Sequence, residues 1–193
     1  MKKIVITSTV GLIYDGITNV IVSYLEAMDL QDLDIYIVAT IKAEPTIIEK
    51  LEKLGCHIVH LPSRREDTLK YFLRLISFIK KNKIEVIHAH GNSATLAIEM
   101  VAGWIGGCKK RIAHSHNKSQ DKNLKYPIKL LSKHLIPKYA THLFSCGKEA
   151  GDWMFGGNAY TVLNNAIDAE KYQYDCQIRN QVRDELKISK SDF

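Results

Sequence analysis

The chain has 193 residues, of which 46% are hydrophobic, so it can bury one large core. No apolar run approaches the roughly 18 residues of a membrane span, and Asp15 interrupts the N-terminal stretch where a signal peptide would continue, so we expect a cytoplasmic protein. The four cysteines lack Cys-x-x-Cys spacing, which disfavours a zinc knuckle, and the net charge of +6 favours anionic partners without identifying them.

Strand-like and helix-like segments alternate along the first half of the chain. The β-branched run KKIVITST predicts a strand, and after a glycine-containing loop Asp15 stands as the N-cap of an amphipathic helix. DIYIVAT (34–40) predicts a second strand, followed by a helix that begins at Pro45 and stops at Gly55. HIVHLP predicts a third strand, and the next helix has an apolar stripe and ends in KKNK.

The alternation continues through the second half. EVIHAH predicts a fourth strand, followed by a mostly apolar helix over 93–105. KRIAHSH predicts a fifth strand, followed by a basic helix over roughly 122–139. THLFSC, a short helix over 147–155 and the strand YTVLN complete the pattern. Because the strands are apolar on both faces, this order predicts an α/β fold with a doubly wound parallel sheet, covered by helices on both sides.

The composition turns polar and highly charged after NNAID. We expect residues 1–170 to form one domain and residues 171–193 to be a linker and a helix. The apolar residues of that helix are too few to form a core, so we expect it to pack on the domain or on a segment outside this chain.

Two His-x-His pairs, in VIHAHGN and IAHSHNK, end the fourth and fifth predicted strands. Open parallel sheets bind ligands outside the carboxyl ends of their strands. Side chains two residues apart share a face, so His88 lies beside His90, and His114 beside His116, with the later member nearest the loop. We therefore expect His90 and His116 to be accessible to solvent and ligand.

Three roles are open for these histidines. A zinc site needs three or four converging ligands, usually with a carboxylate, and neither motif contains Asp or Glu, so we expect no metal. A general base or a group that orients a hydroxyl fits His116, because an imidazole exchanges protons near neutral pH. The third role is a histidine that caps a strand without chemistry.

The loop TSTVGLIYDGIT contains Gly11 and Gly16 but neither Gly-x-Gly-x-x-Gly nor Gly-Lys-Ser/Thr. Dinucleotide and triphosphate cradles are therefore disfavoured. Gly16 at a helix N-terminus lets the backbone approach a phosphate or a sugar, or serves only as a turn.

The ordered set of motifs resembles a known family. Gly16 opening the first helix, VIHAHG, RIAHSHN, ATHLFSCGKEAGDWMFG and VLNNAIDAEKY span residues 1 to about 173. Together they resemble the N-terminal half of bacterial family-4 retaining glycosyltransferases, most closely the capsular and exopolysaccharide branch. VLNNAID is similar to the family's hinge sequence, with Ala166 in place of the usual glycine.

This resemblance implies the GT-B fold, in which two Rossmann-like domains face a cleft. The N-terminal domain mainly binds the acceptor, and the C-terminal domain binds the nucleotide sugar through a Glu-x7-Glu motif and a basic residue. The chain ends at Phe193, about where the second domain would begin, so we expect the donor half to be absent. The resemblance also implies catalysis without metal or cofactor, a UDP-linked donor and a saccharide acceptor linked to polyprenyl phosphate.

The resemblance further implies site residues. His116 matches the fifth-strand histidine expected near the reacting sugar and is the predicted catalytic residue. Gly16 and Thr18 match the loop that approaches the donor phosphates. The remaining predicted substrate-binding residues follow the fourth, fifth and sixth strands: His90, Asn92, Ser93, Asn117, Ser145 and Lys148.

Other functions stay open. A GT-B sugar-nucleotide epimerase would use carboxylates in the cleft, where this sequence offers His, Asn and Ser. A metal hydrolase would use the His-x-His pairs, and a sugar-binding module would have no chemistry. Nucleic-acid binding is disfavoured because aromatic residues do not interleave with the basic clusters.

Lysines recur at spacings of three and four around the fifth connection, at Lys118, Lys122, Lys125, Lys129, Lys133 and Lys138. They form either a solvated face or a surface for an anionic membrane. Leu130, Leu131, Leu135 and Ile136 add an apolar component. Because the resemblance implies a lipid-linked acceptor, we expect peripheral binding to the inner face of the cell membrane.

Overall fold

The structure is a computed structural model that describes residues 1–40, 43–117, 126–189 and 192, with the backbone alone over 126–129. Within these residues a seven-stranded sheet has the order β3-β2-β1-β4-β5-β6-β7, and every neighbouring pair is parallel. The strands are β1 (Lys2–Ser8), β2 (Leu33–Ala39), β3 (His57–His60), β4 (Val86–Gly91), β5 (Lys110–Ser115), β6 (His142–Ser145) and β7 (Thr161–Val162). The predicted parallel α/β sheet is confirmed.

Helices follow the strands in the predicted order. They are α1 (Gly16–Ala27), α2 (Pro45–Lys53), α3 (Thr68–Asn82), α4 (Ala97–Gly106), α5 (Tyr126–Lys133), α6 (Leu135–Tyr139), α7 (Lys148–Phe155) and α8 (Cys176–Glu185). Asp15 caps α1 as predicted, since its Oδ1 accepts a hydrogen bond from the Thr18 N–H at 2.8 Å. Pro45 is the first residue of α2, where a missing N–H costs no helical hydrogen bond.

Two predicted helices and one predicted strand differ from the structure. The helix predicted over 93–105 begins with a 3₁₀ turn, Ala94–Leu96. The described part of the predicted basic helix is split into α5 and α6, because Pro137 lacks an N–H and its ring clashes with the carbonyl of Lys133. The strand predicted as YTVLN shortens to Thr161–Val162 at the sheet edge.

Both faces of the sheet are packed. On one face α1 and α2 cover β1 and β2 through a core that includes Ile21, Ile37 and Leu51. On the other face α3 and α4 cover β1 and β4 through a core that includes Leu75 and Ile87. Burial of each such side chain stabilises the fold by about 1.5–3 kcal/mol relative to exposure.

The order of the strands reverses between β1 and β4. The chain builds outward from β1 to β3 and then crosses back to β4 on the other side of β1. In open parallel sheets, the crevice at such a reversal is where ligands bind. A ligand-binding site is therefore expected at the carboxyl ends of β1, β4 and β5.

The C-terminal segment stands apart from these cores. Asp175 caps α8 through hydrogen bonds from the Gln177 and Ile178 N–H groups, and α8 has no buried residue. The domain division after residue 170 stays a prediction. None of the helices in the described part of the chain is long and apolar enough to cross a membrane.

Candidate active site

Strands β4 and β5 bring four imidazole rings together on one face of the sheet. His90 lies opposite His114 in the parallel register, His88 lies two residues before His90 on β4, and His116 directly follows β5. Neighbouring ring centroids are 4.1 Å apart for His88–His90, 4.8 Å for His90–His114 and 4.3 Å for His114–His116. A side-chain hydrogen bond links the two sides of the cluster, between His90 Nδ1 and His116 Nε2 at 3.0 Å. We call these four residues the histidine cluster.

Burial keeps the cluster neutral. Loss of solvent lowers the pKa of His88 to about 3, that of His114 to about 2 and that of His116 to about 4. It also holds the pKa of His90 well below its ordinary range, and the neighbouring imidazoles lower it further. At pH 7, His116 is therefore a neutral imidazole with one N–H donor and one acceptor nitrogen, suited to orienting a hydroxyl group.

The prediction that His90 faces solvent is wrong. His90 is only 2% exposed, whereas His116 is partly exposed. The His116 ring stacks on the His90 ring with centroids 5.2 Å apart. The residue that follows β5 therefore covers the histidine at the end of β4. His90 therefore contacts His116, and His116 is the member of this pair that a substrate can reach.

Asp15 is a site residue that the sequence suggested only as a helix cap. Its negative charge partly offsets the lowering of the His116 pKa by burial, so the carboxylate lies within electrostatic reach of that ring. The position of the β1–α1 loop at the strand-order reversal was the signal that could have identified it.

The packing of this edge does not require glycine at Gly16, whose contact with substrate stays a prediction. Gly16 is exposed, and a Cβ added there meets no atom within 4 Å. Gly11 has φ +88°, a left-handed conformation that glycine adopts without strain. At Gly91 an added Cβ would lie 2.8 Å from Thr9 Cγ2, so the close approach of the ends of β1 and β4 requires glycine there. Gly11 and Gly91 are thus the glycines on which the shape of this edge depends.

Two predicted substrate-binding hydroxyls are buried and occupied. Thr18 is 2% exposed, and its hydroxyl donates to the Gly11 carbonyl at 3.3 Å. Ser145 is fully buried, and its hydroxyl donates to the Gly147 carbonyl at 2.7 Å. These hydroxyls hold loops in place, while direct contact of Thr18 and Ser145 with substrate stays a prediction.

The other predicted site residues lie at the carboxyl edge. Asn92, partly buried, accepts from the Thr9 hydroxyl at 3.3 Å, and Ser93 caps the 3₁₀ turn that follows it. Asn117 is exposed directly after His116. Lys148 is exposed at the start of α7, and its ion pair with Asp152 at 2.5 Å raises its pKa. Substrate contact by these four residues stays a prediction.

A second feature of this edge, a cavity, was not predicted from the sequence. A cavity of about 230 Å³ lies between the β1–α1 loop, the end of β2 and the segment Ser63–Glu66. Arg64 anchors this segment, because its Nε lies 2.7 Å from Oε1 of the buried Glu99, to which the Tyr71 hydroxyl also donates at 3.0 Å. The charged run SRRED before α3 was the available signal.

Three buried nitrogens of the cluster, namely His88 Nε2, His114 Nδ1 and His114 Nε2, have no hydrogen-bond partner among the described residues. One nitrogen from each of His88, His90 and His114 lies within 4.8 Å of the others. The expectation that no metal binds rested on the absence of carboxylates and did not foresee this convergence.

Comparison with known proteins agrees with the fold. No protein-family model matches the chain. EpsF of Bacillus subtilis (strain 168), which is named as a glycosyltransferase, is 30% identical over 134 residues, which are 64% of this chain and 35% of EpsF.

Solved structures match over nearly the whole chain. Anabaena HepE in complex with UDP-glucose superposes with a TM-score of 0.70 at 15% identity, over 98% of this chain and 51% of HepE. The UDP-GlcNAc 2-epimerase of Neisseria meningitidis superposes with a TM-score of 0.63 at 13% identity, over 99% of this chain and 55% of the epimerase. The chain thus spans about half the length of these solved proteins and about a third of EpsF. The comparisons confirm the predicted resemblance: the chain has the Rossmann-like fold of one half of a GT-B protein and is similar to a bacterial glycosyltransferase.

Proposed function

We propose that this chain is the acceptor-binding, N-terminal half of a retaining hexosyltransferase. The whole enzyme would move a sugar from a nucleotide sugar, expected to be UDP-linked, to a saccharide acceptor in surface polysaccharide synthesis. The similarity to EpsF supports the transferase, and the UDP-glucose named with HepE supports the donor class. The observation that carries the proposal is the partly exposed His116 at the carboxyl edge, held by the buried His90.

In this proposal His116 orients the reacting sugar. Its Nε2 is engaged by His90, which leaves Nδ1 for a substrate hydroxyl. A neutral imidazole at this place forms a hydrogen bond with the sugar without adding positive charge. If positive charge develops on the ring, the carboxylate of Asp15 stabilises it. Asn92, Asn117 and Lys148 are proposed to contact the acceptor or the donor phosphates. We propose that the transfer step requires no metal ion.

We further propose that the basic segment, residues 118–138, binds the anionic inner face of the cell membrane. This would bring a polyprenyl-phosphate-linked acceptor to the site. Lys118, Lys122 and Lys125 lie outside the described residues, as does the Lys129 side chain. Leu131 is 71% exposed and supports the proposal, whereas Ile136 is fully buried and belongs to the core.

Lys133 is not among the lysines that we propose to bind the membrane. Its ammonium group lies 4.6 Å from the centroid of the Trp153 ring, and loss of solvent lowers its pKa. It therefore packs on the domain.

A sugar-nucleotide epimerase is the second candidate, because an epimerase half has the same fold. An assay of the complete gene product separates the two. Incubation with a UDP-sugar and an acceptor saccharide should give a longer saccharide and UDP, with the donor unchanged when the acceptor is omitted. Appearance of a C2-epimeric UDP-sugar without acceptor would show the epimerase instead.

A further inference from the structure

We propose that His88, His90 and His114 bind one divalent transition-metal ion of the Zn²⁺ class. One nitrogen of each ring lies within 4.8 Å of the other two, and His90 and His114 are buried. This inference is independent of the proposed sugar transfer, which is not routed through the ion, and it replaces the expectation that the cluster holds no metal.

The distances between the three imidazole rings are close to those of a three-histidine zinc site. Zinc–nitrogen bonds of about 2.1 Å in a tetrahedral arrangement place ligand nitrogens about 3.4 Å apart and imidazole centroids about 5 Å apart. The observed centroid distances are 4.1 Å for His88–His90, 4.8 Å for His90–His114 and 5.5 Å for His88–His114. Two of the three pairs are therefore within about 0.5 Å of this separation, and binding must move the rings of His88 and His90 about 1 Å farther apart.

The ring orientations show what must change on binding. The planes of these rings are inclined by 32°, 36° and 5°, so the lone pairs, which lie in the ring planes, do not meet at one point. Binding requires the rings to turn about their Cβ–Cγ bonds. His88 Nε2 and both nitrogens of His114 are buried without hydrogen-bond partners among the described residues, so no hydrogen bond at these atoms opposes the rotation.

The bond between His90 and His116 fits the outer shell of a metal site. Metal-binding histidines usually donate their second nitrogen to a fixed acceptor. His90 can donate from Nδ1 to His116 Nε2 and still present Nε2 to the ion. Three imidazoles without a carboxylate favour Zn²⁺, Co²⁺, Ni²⁺ or Cu²⁺ over Mg²⁺ and Ca²⁺.

The test uses the purified chain after removal of metal with EDTA. Calorimetric titration with Zn²⁺, and the visible absorption of added Co²⁺, should show one ion per chain, whereas Mg²⁺ should give no signal. His88→Gln and His114→Gln should each weaken binding at least tenfold. His60→Gln is the matched control, because His60 is exposed on β3 away from the cluster, and it should leave binding unchanged.

Circular dichroism establishes whether each variant folds. If a variant does not fold, its binding measurement is replaced by long-range ¹⁵N spectra of the wild-type imidazoles. Addition of Zn²⁺ should then shift the ring nitrogens of the three ligands. Absence of saturable binding, equal binding by His60→Gln and His88→Gln, or shifts confined to exposed histidines would each overturn the proposal.

Discussion

The Nδ1 atom of His90 lies 3.0 Å from the Nε2 atom of His116. A buried imidazole on one strand thereby fixes the position of a partly exposed imidazole on the next, at the edge where parallel sheets bind ligands. In the proposed function, His90 is a positioning residue and His116 contacts the substrate.

Replacement of His116 should separate activity from stability. In the complete enzyme, His116→Ala should lower kcat by about 10²–10⁴-fold, as expected for the loss of a positioned proton-handling group. Its free energy of unfolding should fall by only about 1–3 kcal/mol, because the buried His90 Nδ1 loses its hydrogen-bond partner while the hydrophobic cores stay intact. Steady-state kinetics and thermal unfolding measure the two effects, and a common loss of fold and activity would identify His116 as a packing residue.

The histidine cluster should make the chain sensitive to acid. Its folded-state pKa values lie below the ordinary value of 6.5, so the unfolded chain binds more protons as the pH falls below 6.5. Stability is therefore complete above that pH and is lost towards pH 4 and below, by up to about 1.4 kcal/mol per pH unit for each histidine.

Urea unfolding in EDTA at several pH values measures this loss. His88→Gln should reduce the slope by about one proton. Identical slopes for the wild type and His88→Gln would show that His88 titrates normally in the folded protein.

Gly91 and Gly16 form a matched pair for testing the backbone of the site. Gly91→Ala should destabilise the chain by about 1–3 kcal/mol, because the new Cβ would lie 2.8 Å from Thr9 Cγ2. Gly16→Ala should change the free energy of unfolding by less than about 0.5 kcal/mol, because its surroundings are open. Chemical denaturation measures both changes, and the opposite ranking would contradict the described β1–β4 approach.

Arg64 should stabilise the chain through Glu99. Arg64→Met leaves the carboxylate of Glu99 buried and unpaired, which should cost about 3–5 kcal/mol. The double variant Arg64→Met, Glu99→Leu should recover much of this loss, because both charges are gone. Additive losses in the double-mutant cycle would show that the two side chains do not interact.

The fold was predictable because hydrophobic periodicity and caps such as Asp15 act within short segments. The burial of His90 could not be predicted from its own segment, because it depends on His114 and His116, which come from a neighbouring segment of the sheet. The charge pairing of Arg64 with Glu99 likewise joins residues far apart in sequence. The requirement for glycine at Gly91 arises from the approach of β1 and could not be read from β4 alone.

The basic segment should bind anionic membranes. The chain should sediment with vesicles containing phosphatidylserine, and binding should fall with added salt and when Lys122, Lys125 and Lys129 are changed to Glu. Lys80, Lys81 and Lys83 at the end of α3 provide a control set for the same charge change. Equal binding to neutral vesicles, or binding indifferent to salt, would mean that the lysines form a solvated face.

The isolated chain should fold but transfer no sugar, because the proposed donor-binding half is not part of it. Incubation with UDP-sugars and an acceptor saccharide, followed by chromatography, tests this directly. Turnover of a UDP-sugar by the chain alone would place the donor site within the residues described above.

The anomeric configuration of the transferred sugar shows whether the complete enzyme retains the configuration of its donor. Proton NMR of the product formed by the complete enzyme from an α-linked UDP-sugar should show an α-glycosidic bond to the acceptor, with much slower formation by the His116→Ala variant. A β-linked product, or an epimerised UDP-sugar formed without transfer, would contradict the proposal that this chain is half of a retaining glycosyltransferase.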